Sequence, residues 1–200
     1  TPFSPLVVKK IQEFLKLELP LDMICTSHGV IWRDNPAQIV EKYLEWADAY
    51  RENQISLVYD TMWDGTRTMA EEIAAGIREA DPDAAVKLFN AAKKDKNDII
   101  TEIFKSKAVL AGSPTINKGI LTAMAALMEE IKGLRFRGKK GASFGAYGWS
   151  GESTDMLRRL LEESGFETAS EGLKVLWNPD EDAKAQCRDF GRDFVKQISE

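Results

Sequence analysis

Short runs of apolar and β-branched residues recur along the chain at Ile55 to Tyr59, Ala85 to Phe89, Ala108 to Gly112 and Gly141 to Gly145. Between them lie stretches whose apolar positions repeat with the period of a helix: Met69, Ile73 and Ile77; then Ile120, Met124, Leu127, Met128 and Ile131; then Met156, Leu157, Leu160 and Leu161. A period near two that gives way repeatedly to a period near 3.6 predicts βαβ units. Asp81-Pro82 is placed to end the first of these helices and Gly165 to cap the third. A last strand near Ala169 to Leu176, and a terminal helix with Cys187, Phe190 and Phe194 on one face, complete the set. The simplest assembly is an α/β fold, five parallel strands with helices on both faces.

The first 50 residues stand outside this alternation. They hold a helical stretch with Ile11, Phe14 and Leu15 on one face, a short apolar run from Met23 to Cys25, a loop with His28, and a second helix starting at Pro36, a residue suited to a first helical turn. So short a segment either packs on the α/β domain or ends another domain, and a start at Thr1 rather than methionine favours the second. No internal repeat or low-complexity stretch is visible.

Composition narrows the function. Hydrophobic residues make up 44% and charged residues 30% of 200 residues, the balance of a folded globular chain. The net charge of -5 disfavours general nucleic-acid binding. No apolar run reaches the roughly 18 to 20 residues of a membrane span and no signal pattern opens the chain, which predicts a cytoplasmic protein. The two cysteines, Cys25 and Cys187, are far apart and form no CxxC pair, so they are expected as buried, reduced thiols.

In an open α/β sheet, ligands bind beyond the carboxyl ends of the strands. The first strand runs through Asp60 into Thr61, Met62, Trp63, Asp64, Gly65 and Thr66 and directly into a helix. Two hydroxyls, a glycine and a helix N-terminus make a cradle for one phosphate, with neither a Walker lysine nor a dinucleotide glycine pattern. The competing reading is a helix merely capped by Thr66 or Asp64. Asp64 brings a carboxylate toward a phosphate dianion, so it is expected to point outward and cap the helix. The third strand ends in Ser113, Pro114, Thr115 and Asn117, polar groups suited to the edge of a heterocycle, or to an ordinary turn. The fourth ends in Gly145, Ala146, Tyr147, Gly148, Trp149, Ser150 and Gly151, where glycines let a ligand approach and Trp149, with Trp63, is placed to cover a planar ring. The one basic cluster, Arg135 to Lys140, is either a docking site for an acidic partner or a solvated strand start.

Together these loops resemble a flavodoxin-like domain that binds flavin mononucleotide (FMN). The runs Ser27-His28-Gly29-Val30-Ile31-Trp32-Arg33, Tyr59-Asp60-Thr61-Met62-Trp63, Gly112-Ser113-Pro114-Thr115 and Gly145-Ala146-Tyr147-Gly148-Trp149-Ser150-Gly151 are similar to the flavodiiron proteins, a family that includes flavorubredoxins reducing nitric oxide or oxygen. The resemblance extends from about Asp22 to the C-terminus. It implies strand order 2-1-3-4-5, with residues 1–52 as the tail of a metallo-β-lactamase-like domain and linker helix, and 53–200 as an FMN-binding, electron-transfer domain. It also implies a rubredoxin-type donor as partner, a diiron centre held elsewhere, and a head-to-tail homo-oligomer of the full-length protein. His28 matches a metal ligand of that family, but it is the chain's single histidine, so this polypeptide cannot complete a diiron site. A cofactor-free interaction domain and a free-standing flavodoxin-type carrier are the alternatives. Receiver-type acidic clusters and a nicotinamide site are both absent.

Overall fold

The computed structural model describes residues 1–168 and 170–199. The chain divides into two compact units, Thr1–Tyr50 and Arg51–Glu200. In the first unit, α1 (Ser4–Leu15) and α2 (Ala37–Ala47) are amphipathic, and no residue of either is buried. Pro36 stands at the N-cap of α2, where the sequence pattern predicts the helix start. The Met23 to Cys25 run forms a single antiparallel bridge, Ile24 with Trp32, closed by two hydrogen bonds of 3.0 Å. His28 lies exposed in the loop between them. Cys25, expected buried, is exposed as well, because neither helix of this unit has a buried residue, while Cys187 is buried in the core of the second unit.

The second unit is built on a parallel sheet of β1 (Glu52–Tyr59), β2 (Ala85–Asn90), β3 (Ser106–Gly112), β4 (Lys140–Tyr147), β5 (Glu167–Thr168) and β6 (Leu173–Leu176). Its order is β2-β1-β3-β4-β5, with β6 also paired to β4. Side chains alternate as a pleated strand requires. Ile55, Leu57 and Tyr59 of β1 join Met69, Ile73 and Ile77 of α3 (Gly65–Ala80) and Cys187, Phe194 and Val195 of α7 (Glu181–Ser199) in one core. Val58, Val109 and Ala111 face the other way, against Ile99 and Ile103 of α4 (Lys96–Lys105), Met124 and Met128 of α5 (Thr122–Leu134) and Leu157 and Leu161 of α6 (Glu152–Glu163). Helices on both faces of a parallel sheet are the flavodoxin-like architecture.

The observed elements differ from the sequence expectation in two places. Helix α4 was not among the elements expected. Its signals are an Asp95 cap, with Oδ1 accepting from the Asn97 N–H at 2.8 Å, and the fully buried pair Ile99 and Ile103 one turn apart. The last strand position is occupied by two segments: β5 pairs with Lys140 and Gly141, β6 with Phe144 to Tyr147, and the lane is interrupted opposite Ala142 and Ser143. Gly172, at φ +91°, packs there so closely that a Cβ would stand 2.4 Å from Ser143 Oγ. Ala169, where the last strand was expected to begin, lies outside the described residues. The expected cap at Gly165 is present as a Schellman turn. The Phe166 N–H donates to Leu161 O and the Gly165 N–H to Glu162 O, both at 3.0 Å, and Phe166 and Leu161 share a core.

Candidate functional site

The parallel ladder brings three loops together at the carboxyl edge. The Asp60 N–H donates to Gly112 O (3.0 Å), Ser113 N–H to Phe144 O (3.2 Å) and Thr115 N–H to Ala146 O (3.0 Å), so each loop leaves its strand tied to the next. The loop after β1 turns at Asp64, which adopts a left-handed φ of +62° as the N-cap residue of α3. Inside that turn Thr61 Oγ1 and Thr66 Oγ1 are buried and have no hydrogen-bond partner. Thr66 itself is 1% exposed. Two orphaned hydroxyls beside the free N–H groups of a helix start form a cradle whose hydrogen-bonding capacity is unspent, which fits a phosphate.

The loop after β3 divides its labour. Ser113 is fully buried and serves the fold: its Oγ donates to Pro114 O and accepts from the Leu121 N–H, both at 3.0 Å. Ser153, at the start of α6, donates through Oγ to Ser113 O (2.9 Å), and Thr115 Oγ1 in turn donates to Ser153 Oγ (2.9 Å). Gly145 is required where these loops meet, since a Cβ there would lie 2.2 Å from Ser113 O.

A cleft of about 510 Å³ opens between the loops. Of the residues expected at the site, Thr61, Met62, Trp63, Gly65, Thr66, Pro114, Thr115, Ala146, Tyr147, Gly148 and Trp149 line it. Five others are near it without lining it. Ser113 and Gly145 are packing residues of the converging loops. Gly151, at φ +74°, is the N-cap of α6. Asn117 is exposed, in a hairpin turn with two successive left-handed residues, Asn117 (+49°) and Lys118 (+58°), closed by a Gly119 N–H to Ile116 O bond of 2.7 Å. That is the pattern of a type I′ turn, and Asn117 is not among the residues that line the cleft. Asp64 points outward as expected, its side chain 70% exposed with a carboxylate oxygen 3.8 Å from Arg67 Nη1. It makes no side-chain cap, because a left-handed residue does not bring its carboxylate over the following N–H groups.

Two lining residues escaped the sequence reading, Trp177 and Asn178 in the turn after β6. The signal available was a tryptophan followed by an Asn-Pro pair, Asn178-Pro179, at a strand end. Only the fold shows that this turn reaches the same cleft. Three tryptophans stand at its mouth, Trp63 (82% exposed), Trp149 (88%) and Trp177 (59%).

In the basic cluster Arg135 and Arg137 are exposed ahead of β4, as a solvated strand start requires, and Lys139 alone departs from both expectations. Lys139 is 2% exposed. Its ammonium donates to Phe104 O (2.8 Å) and Ser106 O (2.6 Å) and sits about 6 Å from the rings of Phe104 and Phe136. Burial, with the charge of Arg51 added, pulls its pKa down to about 8. Lys139 therefore belongs to the floor of the sheet and is not a docking residue. Among the described residues no group of three or more His, Cys, Asp or Glu side chains could hold a metal ion, and the donors present do not fit a diiron centre. Among them, too, no helix is long and apolar enough to cross a membrane.

A doubly covered parallel sheet with this strand order, and a ligand cleft at its carboxyl edge, defines a flavodoxin-like domain. The chain belongs to the flavodoxin family, whose profile matches residues 57–191. It is 55% identical over 197 residues to the anaerobic nitric oxide reductase flavorubredoxin of Klebsiella pneumoniae, an alignment covering 98% of this chain and 41% of that protein. The fold superposes on the rubredoxin oxygen:oxidoreductase of Desulfovibrio gigas with a TM-score of 0.93 at 34% identity, covering 99% of this chain and 49% of that one. It superposes on the flavodiiron protein of Giardia intestinalis with a TM-score of 0.89 at 25% identity, covering 98% of this chain and 48% of that one. The relatives are thus the flavodiiron proteins that the four sequence motifs resemble, and the chain spans less than half the length of each.

Proposed function

We propose that this chain is the FMN-binding, electron-transfer part of a flavodiiron-type nitric oxide or oxygen reductase, taking electrons from a rubredoxin-type donor. The observation that carries the reading is the pair of buried, unpartnered hydroxyls Thr61 Oγ1 and Thr66 Oγ1 beside the first N–H groups of α3, in a cleft rimmed by tryptophans. A phosphate monoester satisfies the former and a planar heterocycle the latter. In this reading residues 1–52 end a metallo-β-lactamase-like domain and 53–200 form the flavin domain. The diiron centre belongs to protein outside this chain, with His28 as the one ligand contributed here, and the full-length protein pairs head to tail in the cytoplasm.

The chemistry supplied by bound FMN is acceptance of an electron pair and its release in single steps. The work of the chain is to bind and to tune. Thr61, Thr66 and the α3 N-terminus hold the phosphate. Trp63 and Trp149 cover the ring and exclude water, lowering the local dielectric and so making negative charge on the ring less favourable. Pro114 stiffens the loop beside the ring, and Thr115 fixes it to the start of α6 through Ser153.

The deciding experiment is the visible absorption spectrum of the purified protein before and after FMN is added and the excess removed. A retained flavin spectrum, with released flavin lacking an adenylate, is the expected result. A folded protein that retains none would leave the cofactor-free interaction domain.

A further inference from the structure

The Trp149 ring stands 88% exposed on a loop with glycine on both sides, at 148 and 151, so its own backbone does little to orient it. Its ring contact is with Trp177, edge on, with centroids 5.4 Å apart and planes at 69°, the favoured geometry for an aromatic pair. Trp177 is held where Trp149 is not. Its N–H donates to Tyr147 O at 2.8 Å, extending the β4–β6 ladder by one bond. Its ring lies against Gly148, where a Cβ would come within 3.1 Å of it. Its backbone is left-handed, at φ +57°, a conformation costly for a bulky side chain and kept only where the surroundings over-determine it. The next residue, Asn178, brings its Oδ1 to 2.9 Å from where a Gly65 Cβ would stand, so the same turn also presses on the phosphate cradle.

From this geometry we infer that the turn after β6 is a fourth loop of the cofactor site, with Trp177 as a positioning residue that fixes the Trp149 ring against the flavin. The inference rests on the FMN reading above and adds to it an element beyond the three loops that carry that reading. Strain at Trp177 is the counterpart of freedom at Trp149: the backbone is bent at a residue anchored to the sheet, so that a ring on a glycine-flanked loop has a wall to lean on.

The test is a cycle of variants in the whole chain, each titrated with FMN and its two-electron midpoint potential measured. Trp177→Gly removes the ring and relieves the positive φ, so the melting temperature of the flavin-free protein should not fall. If it does fall, Trp177→Asn, which tolerates a left-handed backbone, carries the same measurement. The expected result is FMN affinity weakened about five- to tenfold, the worth of one aromatic pair, with a shifted potential and recovery in Trp177→Phe. In a Trp149→Ala background the same substitution should have no further effect. If the parent protein binds FMN and Trp177→Gly matches it in affinity and potential, the inference is overturned. It is equally overturned if the loss persists in full in the Trp149→Ala background. If the parent itself fails to bind FMN, the cofactor reading falls, and this inference with it.

Discussion

The two ends of the sheet are made from similar residues and finished in opposite ways. At the amino end, Gln54 Nε2 donates to Glu102 O and Ser106 Oγ (both 3.0 Å), Ser56 Oγ and Ser106 Oγ are 2.9 Å apart, and Lys139 donates to two carbonyls. At the carboxyl end, Thr61 and Thr66 keep buried hydroxyls with nothing to bond, and three tryptophans face outward. One end spends its polar groups on itself and holds the fold. The other leaves two of its hydroxyls, Thr61 and Thr66, buried and unbonded, at a cost to the fold.

Substituting a hydroxyl at each end should separate these roles. Thr66→Val keeps the shape and removes an orphaned hydroxyl, so FMN affinity should fall by about 1.5 to 3 kcal/mol, the worth of a hydrogen bond to a charged group, while the flavin-free protein melts no lower. Unchanged affinity in a fluorescence titration would take Thr66 out of the cradle. Ser106→Ala should do the reverse. It strips a partner from buried Ser56 and Gln54 and lowers folding stability by about 1 to 3 kcal/mol in urea, with FMN affinity intact. Equal effects of both variants on binding would erase the distinction between the two ends.

The amino end should also respond to pH through Lys139. Its folded pKa of about 8 lies below the ordinary 10.5. Below pH 8 both folded and unfolded chains hold the proton and the cost of the buried charge is fully present. Between 8 and 10.5 the unfolded chain keeps a proton that the folded chain has shed, so stability rises with pH. Cys187, pushed up to about 12 by burial, opposes this from about pH 9 upward, because there the unfolded thiol ionises first. The net expectation is a gain of about 1 kcal/mol between pH 8 and 9 that flattens above. Denaturant melts across that range should show it, and Lys139→Met should abolish it. A fall over the same interval would mean that Lys139 is not titrating there.

The smallest effect is expected from Asp64→Asn. The carboxylate is exposed and its partner Arg67 is already bonded to Glu71, with Nε donating at 2.9 Å, so FMN affinity should hold or improve by no more than about 0.5 kcal/mol. A large loss would place Asp64 in the cradle after all.

Much of the carboxyl end was legible before the fold. A strand that passes through a short loop, Thr61 to Asp64, straight into a helix states its own local geometry, and glycines around Trp149 announce a loop built to approach something. The strands and most helices were legible for the same reason, since period-two and period-3.6 patterns are local facts. Helix α4 had readable signals in Asp95, Ile99 and Ile103, but between two strands its short apolar pair is a faint pattern. The interrupted last lane was harder, because Leu173 to Leu176 is a short run and the break depends on how Gly172 meets Ser143.

Alone, the chain order of hydrophobic and polar residues determined the class of fold, the edge of the sheet at which the cleft opens and three of the loops that line it, because each follows from contacts within a few residues. The tertiary structure decided that Lys139 turns inward while the basic residues around it stay more exposed, and that Trp177 and Asn178 complete the cleft from a strand beyond the three loops. Each of those outcomes depends on residues distant in sequence meeting in space: Lys139 with Phe104 and Ser106, and Trp177 with Tyr147, Gly148 and Trp149. No local period encodes such a meeting.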